Sequence, residues 1–336
     1  MRIAMIGGGS WGTALAMVLH ENGHSVRCWT IDQQSLEDIR TKHENTRYLP
    51  GIPIPQEIQY SDDLAWVLSD HPELIVNAVP SQVTRKALEP VKSIFKDEGQ
   101  IWVSVAKGIE NKTYLRISQV IHQVMGIPEN QIGVLSGPSH AEEVARKIPT
   151  AIVSASTDLE TARKIQQVFM NRYLRIYAND DIIGVELGGA LKNIVALAAG
   201  ICDGAGYGDN TKAALMTRGL VEMSRLGVVM GARSATFAGL SGMGDLIVTC
   251  MSRHSRNRYV GEQIGKGRSL KEVLDEMVMV AEGVRTAESA YELARQKNVE
   301  MPITEQIYQV LFQGKSPSQA MLDLMTRASK IEDWGA

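Results

Sequence analysis

Short apolar runs alternate with helical patterns along the first half of the chain. These runs lie at residues 3–6, 26–29, 74–79, 101–106, 132–135 and 151–154. Continuous apolar runs of this length are typical of strands that are buried on both faces of a parallel sheet. The helical spacing between several of them gives the strand–helix–strand rhythm of an open sheet. The first half is therefore predicted to be an α/β domain with a doubly wound, mostly parallel sheet.

The second half of the chain, from about residue 179, has helical spacing instead of strand-like runs. Residues 182–201 form a long apolar stretch rich in glycine and alanine, but Glu186 and Lys192 make it too polar for a membrane helix. The motif S-P-S-Q at 316–319 predicts a helix start, with the first serine as cap and the glutamine side chain reaching back to it. The second half is therefore predicted to be helical.

The stretch G-G-G-S-W-G at 7–12 joins the first apolar run to a helical pattern. Its glycines fit the motif G-x-G-x-x-G, which dinucleotide-binding folds place between a strand and a helix. Gly7 permits the tight turn, Gly9 lets backbone N–H groups approach a pyrophosphate, and Gly12 lets the helix pack closely on the strand. Unpaired N–H groups at the helix N-terminus favour an anion. The motif in this context predicts nucleotide binding, with a plain strand–helix turn as the alternative.

Composition narrows the class of protein. The 336 residues carry a net charge of −3, so there is no general basic field for nucleic acid. The three cysteines are far apart and form no C-x-x-C pair, which is typical of free thiols in a reducing compartment. The N-terminus does not have a signal-peptide pattern, and no apolar run approaches the roughly 20 residues of a membrane span. We therefore expect a cytoplasmic protein with no nucleic-acid partner, no membrane span and no metal site.

Lys192 is the strongest candidate for acid–base chemistry. It lies in G-G-A-L-K-N at 188–193, and the helical spacing puts it on one face with Val185, Gly188 and Val195. Burial on that face would disfavour the charged form and lower the lysine pKa towards neutrality. The alternative for Lys192 is an ordinary surface lysine, and the alternative for the glycines is that they allow close packing of helices.

A second candidate set lies between residues 241 and 259. Asp245 follows a glycine-rich turn, and Ser255, Arg256 and Asn257 form a compact group of donors. A guanidinium fork with neutral donors suits a small phosphorylated ligand. The alternative is a solvated loop. One nearby aromatic residue in a chain that is not basic makes nucleic-acid binding the weaker interpretation.

A third set follows the predicted strands at 101–106 and 132–135. The loop S-G-P-S-H-A at 136–141 offers glycine, serine and backbone N–H groups to an anion or a hydroxyl, with a helix-capping loop as the alternative. Lys107 places a cation directly after its strand. Ligands of open α/β sheets bind beyond the carboxyl ends of the strands, where both features lie.

Eight longer motifs are spread over nearly the whole chain. They are G-G-G-S-W-G-T-A-L-A from Gly7, N-A-V-P-S from Asn77, V-A-K-G-I-E from Val105, L-S-G-P-S-H-A-E-E-V-A from Leu135, G-V-E-L-G-G-A-L-K-N from Gly184, G-L-S-G-M-G-D-L-I-V-T-C from Gly239, S-R-N-R from Ser255 and V-A-E-G-V-R-T-A from Val280. Together they resemble the bacterial-type NAD(P)-dependent glycerol-3-phosphate dehydrogenases.

This resemblance implies a fold, a reaction and a cofactor. It implies a dinucleotide-binding Rossmann domain over 1–178 and an all-helical substrate-binding and catalytic domain over 179–336. The implied reaction is the reversible reduction of dihydroxyacetone phosphate to sn-glycerol 3-phosphate, a precursor of glycerophospholipids, with NADH or NADPH and no metal. The oligomeric state is left open, a homodimer included.

The resemblance also implies roles for individual residues. The catalytic residues would be Lys192, as the acid–base group on the reacting oxygen, with Lys107 and Asp245 in support. The substrate would be held by Lys107, Gly137, Ser139, Lys192, Asp245, Ser255, Arg256 and Asn257. The cofactor would contact Gly7, Gly9, Ser10, Trp11, Gly12, Asp32, Lys107, Ala141, Arg256, Val280 and Glu282.

Two positions depart from the family pattern. His140 replaces a frequent phenylalanine, and we expect it to fill the same space. NADPH-preferring relatives usually carry a basic residue near Thr30 or Ile31, and this chain does not. Asp32 lies about 20 residues after the last motif glycine, where an acid can bind the ribose hydroxyl of NAD. We therefore predict a weaker NADPH preference than usual, unless an arginine such as Arg27 or Arg40 folds in.

Two rival functions remain open. One is a related lysine-dependent 3-hydroxyacid dehydrogenase, against which the S-R-N-R cluster at 255–258 argues. The other is a nucleotide-binding sensor without catalysis, against which the joint presence of Lys192, Asp245 and Arg256 argues.

Overall fold

The computed structural model describes residues 1–329 and 331–332. The chain divides into two compact units. Unit 1 consists of Met1–Ala106 and Ile117–Ile182, and unit 2 of Lys107–Arg116 and the described residues from Ile183 onward. The segment Lys107–Arg116, which lies inside the predicted first domain, thus packs with the helical unit.

Unit 1 contains one eight-stranded sheet whose order is β3-β2-β1-β4-β5-β6-β7-β8. All neighbouring pairs are parallel except β6 and β7, which are antiparallel. This confirms the predicted mostly parallel sheet. The chain order reverses between β1 and β4, and open α/β sheets bind their ligands at such a switch point. The strands are β1 (Arg2–Ile6), β2 (Ser25–Trp29), β3 (Gln59–Ser61), β4 (Leu74–Asn77), β5 (Ile101–Ser104), β6 (Ile132–Ser136), β7 (Thr150–Ser156) and β8 (Leu174–Asn179).

Helices join these strands within unit 1. They are α1 (Ser10–Glu21), α2 (Gln33–Lys42), α3 (Leu64–Leu68), α4 (Thr84–Ile94), α5 (Ile117–Met125), α6 (Ala141–Ala145) and α7 (Leu159–Phe169), with short 3₁₀ turns at Ser81–Val83 and Glu129–Gln131. Residues of β1 and β4 such as Met5 and Val76 are fully buried, as the continuous apolar runs predict.

Unit 2 is helical in its described part, which confirms the predicted helical second half. Its helices are α8 (Ile182–Gly204, whose first residue falls in unit 1), α9 (Asp209–Val229), α10 (Ser234–Phe237), α11 (Asp245–Met251), α12 (Arg256–Gly265), α13 (Leu270–Asp275), α14 (Glu282–Gln296), α15 (Pro302–Phe312) and α16 (Pro317–Met325), with a π-helical turn at Leu240–Gly244 before α11.

Glycines bring α8 and α12 into backbone contact. A Cβ atom built on Gly200 would lie 2.0 Å from the carbonyl oxygen of Arg258, and one on Gly204 would lie 2.1 Å from that of Glu262. On the opposite helix, a Cβ atom on Gly261 would lie 2.0 Å from the carbonyl oxygen of Leu197. Side chains larger than hydrogen would push the helices apart, so these glycines fix the position of α12 on α8.

The predicted cap at Ser316 is present, although the reciprocal contact is not. Its hydroxyl accepts a hydrogen bond from the Gln319 backbone N–H at 3.2 Å. The prediction that the Gln319 side chain reaches back is wrong, because its Nε2 donates to Asp323 Oδ1 at 2.7 Å instead. The two residues are one turn apart on α16, so this contact competes with the capping contact.

Candidate active site

Lys192 lies inside α8, on a face of the helix that packs against residues 241–242 of unit 2. A Cβ atom on Gly188, four residues before it, would lie 2.7 Å from the carbonyl oxygen of Ser241. Glycine at this position therefore lets the π-helical turn at Leu240–Gly244 approach the backbone of α8. That turn leads directly into Asp245, the first residue of α11.

Asp245 holds two lysine ammonium groups. Its Oδ1 lies 2.8 Å from Lys192 Nζ, and its Oδ2 lies 2.8 Å from Lys107 Nζ. The Thr249 hydroxyl accepts a hydrogen bond from Lys192 Nζ at 2.6 Å and donates to Asp245 Oδ1 at 3.1 Å. The side chains of Lys192 and Asp245 are 7% and 2% exposed, so bulk water solvates these charges only weakly. We call Lys107, Lys192, Asp245 and Thr249 the lysine cluster.

The charges in the lysine cluster are set by a competition between burial and pairing. Burial has the largest effect on Lys192 and lowers its pKa to about 8, although the Asp245 carboxylate acts in the opposite direction. Burial alone would raise the pKa of Asp245, but the nearby Lys107 and Lys192 ammonium groups outweigh it and hold that pKa below its usual value. The carboxylate therefore stays ionised while Lys192 can exchange a proton near neutral pH.

A chain of amides supports the lysine cluster from the other side. Asn193 Nδ2 donates to the backbone carbonyl of Lys107 at 3.0 Å, and Asn257 Nδ2 donates to Asn193 Oδ1 at 2.9 Å. Asn257 Oδ1 in turn accepts from the Gly283 backbone N–H at 2.9 Å. This amide chain links Lys107, α8, α12 and α14 within unit 2, so the candidate substrate residue Asn257 also has a structural task.

The remaining two members of the predicted phosphate set lie beside Asn257. Ser255 is the residue before α12, and its hydroxyl accepts a hydrogen bond from the Arg258 backbone N–H at 3.2 Å. Arg256 is the first residue of α12 and is exposed. The three residues thus meet at a helix N-terminus, where backbone N–H groups and the helix dipole favour an anion.

The glycine motif in unit 1 has the geometry that its spacing predicts. Gly7 has φ +120°, and a Cβ atom on Gly12 would lie 2.0 Å from the Gly7 carbonyl oxygen. Neither position tolerates a side chain. A Cβ atom on Gly9 would meet nothing within 4 Å, which leaves room for a ligand at the loop directly before α1.

Two further features of this loop fit a dinucleotide. The neighbouring residues Ser10 and Trp11 form the first turn of α1, where unpaired backbone N–H groups suit a pyrophosphate. The indole Nε1 of Trp11 is buried and has no hydrogen-bond partner among the described residues. A bound group with an acceptor would satisfy it.

The loop at 136–141 also lies in unit 1. The Ser139 hydroxyl donates to the Gly137 carbonyl at 2.9 Å, and Gly137 has φ +134°. Ala141 starts α6 and is buried in a small apolar cluster with Ala14 of α1, so α6 packs beside the helix that follows the glycine motif. His140 is the residue before α6 and is half-buried.

Asp32 has a richer environment than the sequence indicated. Its Oδ1 accepts from the Ser35 backbone N–H at 2.9 Å, and its Oδ2 accepts from the Tyr48 hydroxyl at 2.7 Å. Arg47 Nη1 lies 3.0 Å from the same Oδ2. An arginine does fold in at this strand end, as the sequence analysis left open, but it is Arg47 rather than Arg27 or Arg40.

The last two predicted cofactor residues lie at the start of α14. Val280 is exposed, and Glu282 is the first residue of the helix. Glu282 directly precedes Gly283, which belongs to the amide chain.

Sequence profiles of known families match both halves of the chain. The profile described as NAD-dependent glycerol-3-phosphate dehydrogenase N-terminus matches residues 2–162, and the profile of the C-terminus matches residues 181–322. The chain belongs to the NAD-dependent glycerol-3-phosphate dehydrogenase family. The resemblance drawn from the eight motifs is thereby confirmed.

Individual members of this family match over nearly their full lengths. A glycerol-3-phosphate dehydrogenase [NAD(P)+] of Chlorobium phaeobacteroides is 52% identical over 336 residues, covering 99% of both chains. The protein of the same name from Bacillus cytotoxicus is 54% identical over 334 residues, covering 98% of this chain and 97% of its own. The solved glycerol-3-phosphate dehydrogenase of Coxiella burnetii has a TM-score of 0.92 at 36% identity, covering 97% of this chain and 99% of its own.

Family membership decides between the rival functions only in part. It removes the related 3-hydroxyacid dehydrogenase as a separate family, and it makes the chain a member of an NAD(P)-dependent oxidoreductase family.

Among the described residues, no group of three or more His, Cys, Asp and Glu side chains could hold a metal ion. In the same part of the chain, α8 alone is long and apolar enough to cross a membrane, and 94% of its most apolar window is buried in the protein.

Three functional candidates were missed from sequence. Thr249 lies four residues after Asp245 on α11, a spacing that puts both side chains on one helix face, so a signal existed. Asn193 directly follows Lys192 in the same motif. Arg47 reaches Asp32 across a loop, and no periodicity indicates such a contact.

Proposed function

We propose that the chain reduces dihydroxyacetone phosphate to sn-glycerol 3-phosphate with NADH or NADPH, reversibly, and supplies glycerophospholipid synthesis. The observation that carries the proposal is the buried Lys192, which has a pKa of about 8 and is held by Asp245 and Thr249 in a member of this family. A cytoplasmic location and a homodimer stay predictions.

Lys192 is the proposed general acid. A bound reduced nicotinamide would supply the hydride for the carbonyl carbon, and the carbonyl oxygen would then gain negative charge. The Lys192 ammonium stabilises that charge and transfers one proton to the oxygen, which completes the alcohol. The neutral amine then regains a proton from water. In the reverse direction the neutral amine removes the hydroxyl proton.

Lys107 and Asp245 are the proposed supports of this step. Asp245 fixes the Lys192 ammonium through a charge-assisted hydrogen bond and remains ionised, because Lys107 and Lys192 both favour its anionic form. Lys107 adds a second cation that can orient the substrate oxygen atoms. A pre-oriented set of charges needs little rearrangement as the reaction proceeds, which is a large part of catalytic power.

Ser255, Arg256 and Asn257 are the proposed phosphate anchor, with Gly137 and Ser139 as further substrate contacts. Arg256 offers a planar guanidinium at the N-terminus of α12, where the helix dipole adds to its attraction for phosphate. Asn257 donates one Nδ2 hydrogen to Asn193, and the amide nitrogen carries a second one. Ser255 retains its hydroxyl hydrogen while its oxygen caps the helix.

The proposed cofactor contacts keep their predicted assignment. The pyrophosphate would lie on the backbone of Gly7 to Gly12 and the first turn of α1, and Asp32 would bind the adenosine ribose. The other contacts proposed for the cofactor are Ser10, Trp11, Lys107, Ala141, Arg256, Val280 and Glu282.

The test is a substrate comparison with purified protein. Loss of nicotinamide absorbance with dihydroxyacetone phosphate should give sn-glycerol 3-phosphate, identified by NMR. Unphosphorylated dihydroxyacetone should have a kcat/KM lower by about 1,000-fold or more, because the phosphate anchor then contributes nothing to orientation. Bound NADH without turnover of either ketone would contradict the proposal and favour the sensor alternative.

A further inference from the structure

The loop that carries Arg47 and Tyr48 is fixed to the glycine motif. Asn45 is fully buried, and its Nδ2 donates to the Gly8 carbonyl at 2.9 Å and to the Thr13 hydroxyl at 3.0 Å. Leu49, which is also buried, packs in the apolar cluster that includes Ala14 of α1. The loop is therefore anchored on both sides of Arg47 and Tyr48, and it lies beside the proposed dinucleotide loop.

The end of β2 lies against the same glycines. A Cβ atom on Gly8 would lie 2.9 Å from the Cβ atom of Thr30, so the two backbones approach closely. Asp32 follows two residues later. In dinucleotide folds this strand end reads the adenosine ribose, where an acid binds the 2′-hydroxyl and an arginine accommodates a 2′-phosphate.

Here the acid and the arginine are paired with each other. Asp32 accepts hydrogen bonds from the Ser35 N–H at 2.9 Å and the Tyr48 hydroxyl at 2.7 Å, and it lies 3.0 Å from Arg47 Nη1. Burial would raise the pKa of Asp32, but hydrogen bonds from Ser35 and Tyr48 and the charge of Arg47 together hold it below its usual value. An ionised carboxylate accepts hydrogen bonds through both oxygens, so Asp32 is suited to accept one from a ribose hydroxyl.

Arg47 can serve a phosphate only when Asp32 does not neutralise it. Its side chain is 44% exposed, so the guanidinium is within reach of a ligand at this strand end. Arg27 is differently engaged, with its guanidinium 4.4 Å from the centre of the Trp66 ring and 3.8 Å from Asp70. Among these arginines, Arg47 is the one that contacts the ribose-binding acid.

We propose that the Asp32–Arg47 pair sets the cofactor preference of this enzyme in favour of NADH, with Tyr48 holding the carboxylate in place. The inference rests on the dinucleotide site of the proposed function. Asp32 repels a 2′-phosphate and occupies the arginine that would bind one. Neutralising Asp32 would release Arg47 to bind the 2′-phosphate. The charge of Asp32 thus determines whether the pair favours NADH or NADPH.

The test measures nucleotide binding, independent of turnover. Isothermal titration calorimetry compares ADP-ribose with 2′-phospho-ADP-ribose, which differ only in the group that the pair would read. We expect wild type to bind ADP-ribose at least about tenfold more tightly, because the phosphate adds about two negative charges beside Asp32. Asp32→Asn keeps a good helix cap. This variant should shift the ratio of the two dissociation constants by at least about 30-fold towards the phosphorylated ligand.

The second step of the test removes the arginine. Arg47→Gln in the Asp32→Asn background should abolish the gain, whereas the matched charge removal Arg40→Gln, at an exposed position of α2, should leave it intact. Tighter binding of the 2′-phosphorylated ligand by wild type would overturn the proposal. An unchanged gain without Arg47 would overturn it too.

Failure of this inference and failure of the proposed function are distinguishable. The predicted binding ratios without turnover of dihydroxyacetone phosphate would support the inference and contradict only the reaction. Turnover with equal binding of both nucleotides would contradict only the inference. Absence of binding for both ligands would overturn both, because the dinucleotide site itself would be wrong.

Discussion

At Lys192, burial and pairing act on the pKa in opposite directions, and burial is the stronger. The side chain is 7% exposed and its Nζ lies 2.8 Å from an ionised carboxylate, yet its pKa falls to about 8. Lys107 contributes to the fall, because a second ammonium beside Asp245 repels the first. The lysine thus reaches the range in which acid–base catalysis at physiological pH is efficient.

The pH dependence of turnover follows from this pKa. A general acid must be protonated, so kcat/KM for ketone reduction should be constant below the pKa of about 8 and then fall by about tenfold per pH unit. Oxidation of sn-glycerol 3-phosphate needs the neutral amine and should rise through the same pH. The measurement is kcat/KM in both directions from pH 7 to 10, above the titration of the substrate phosphate at about pH 6. A reduction rate that stays flat to pH 10 would exclude Lys192 as the acid.

Predictions for single residues succeeded where the residues concerned lie on one face of a helix. The spacing of Val185, Gly188 and Lys192 favoured a lysine facing packed surroundings or a cleft over a surface lysine, and Lys192 is buried. The partners of that lysine lie far along the chain, so the pairing with Asp245 and Lys107 could be inferred only through the family resemblance. Arg47 lies in a loop without periodicity, and only the fold brings it to Asp32.

At the scale of elements, the contact between α8 and α12 positions the residues of the proposed phosphate anchor. Gly200 and Gly204 lie one turn apart on α8, and each meets a carbonyl oxygen of α12. The N-terminus of α12 carries Ser255, Arg256 and Asn257. A small change in helix spacing would therefore move the proposed anchor as a unit.

Gly200→Ala tests this helix contact. Its new methyl group would overlap the Arg258 carbonyl oxygen, at 2.0 Å in the present backbone. We expect the free energy of unfolding to fall by about 1–3 kcal/mol, even though alanine is favoured over glycine in a helix by about 1 kcal/mol. The KM for dihydroxyacetone phosphate should rise as α12 shifts. Urea unfolding and steady-state kinetics measure the two effects.

The matched control is Gly208→Ala. A Cβ atom there would meet nothing within 4 Å, and the residue only caps α9. Its cost should stay near 1 kcal/mol or less, with KM unchanged. Equal losses for both variants would show that close packing of α8 and α12 is not what holds the anchor.

Element-scale prediction failed where a segment was short or only half-buried. The continuous apolar runs identified β1, β2, β4, β5, β6 and β7. Strand β3 spans three residues with one apolar side chain, and β8 alternates buried and exposed positions as an outer strand does. In the π-helical turn before Asp245, Gly242 packs against the backbone of Phe237, a contact that no local pattern specifies.

At the scale of the whole molecule, a buried carboxylate links distant helices of unit 2. Glu222 of α9 accepts hydrogen bonds from the backbone N–H groups of Ile303 and Thr304 at 2.6 and 3.1 Å. It therefore pairs with backbone N–H groups in the first turn of α15, a helix that begins 80 residues after Glu222 in the sequence. Burial raises its pKa from 4.5 to about 7, although these hydrogen bonds act against the rise.

This pKa makes stability depend on pH. Because the folded pKa of about 7 lies above the ordinary 4.5, the contribution of Glu222 is complete below pH 4.5 and is lost as pH rises through 7. Glu222→Gln imitates the neutral acid and should lack this slope. From pH 5 to 8 the wild type should lose about 1–3 kcal/mol relative to the variant, or several degrees in Tm. Parallel Tm curves for the two proteins would contradict this assignment.

The large-scale architecture was predictable because each half has its own period. Continuous apolar runs specify a doubly wound sheet, and helical spacing specifies the second half. The antiparallel β7 was not predicted, since apolar runs carry no direction. The segment Lys107–Arg116 follows a sheet strand but packs with unit 2, which the order of elements does not reveal.

The role of Lys192 as proton donor is tested by the turnover of Lys192→Met with saturating dihydroxyacetone phosphate and NADH. Methionine fills similar buried space and has no proton to donate, and NADH binding measured by calorimetry should be retained. We predict a kcat at least about 100-fold below wild type, while the control Lys266→Met, at a half-exposed lysine paired with Glu262, stays near wild type. Near-normal turnover of Lys192→Met would exclude Lys192 as the general acid, because the proton would then come from another group.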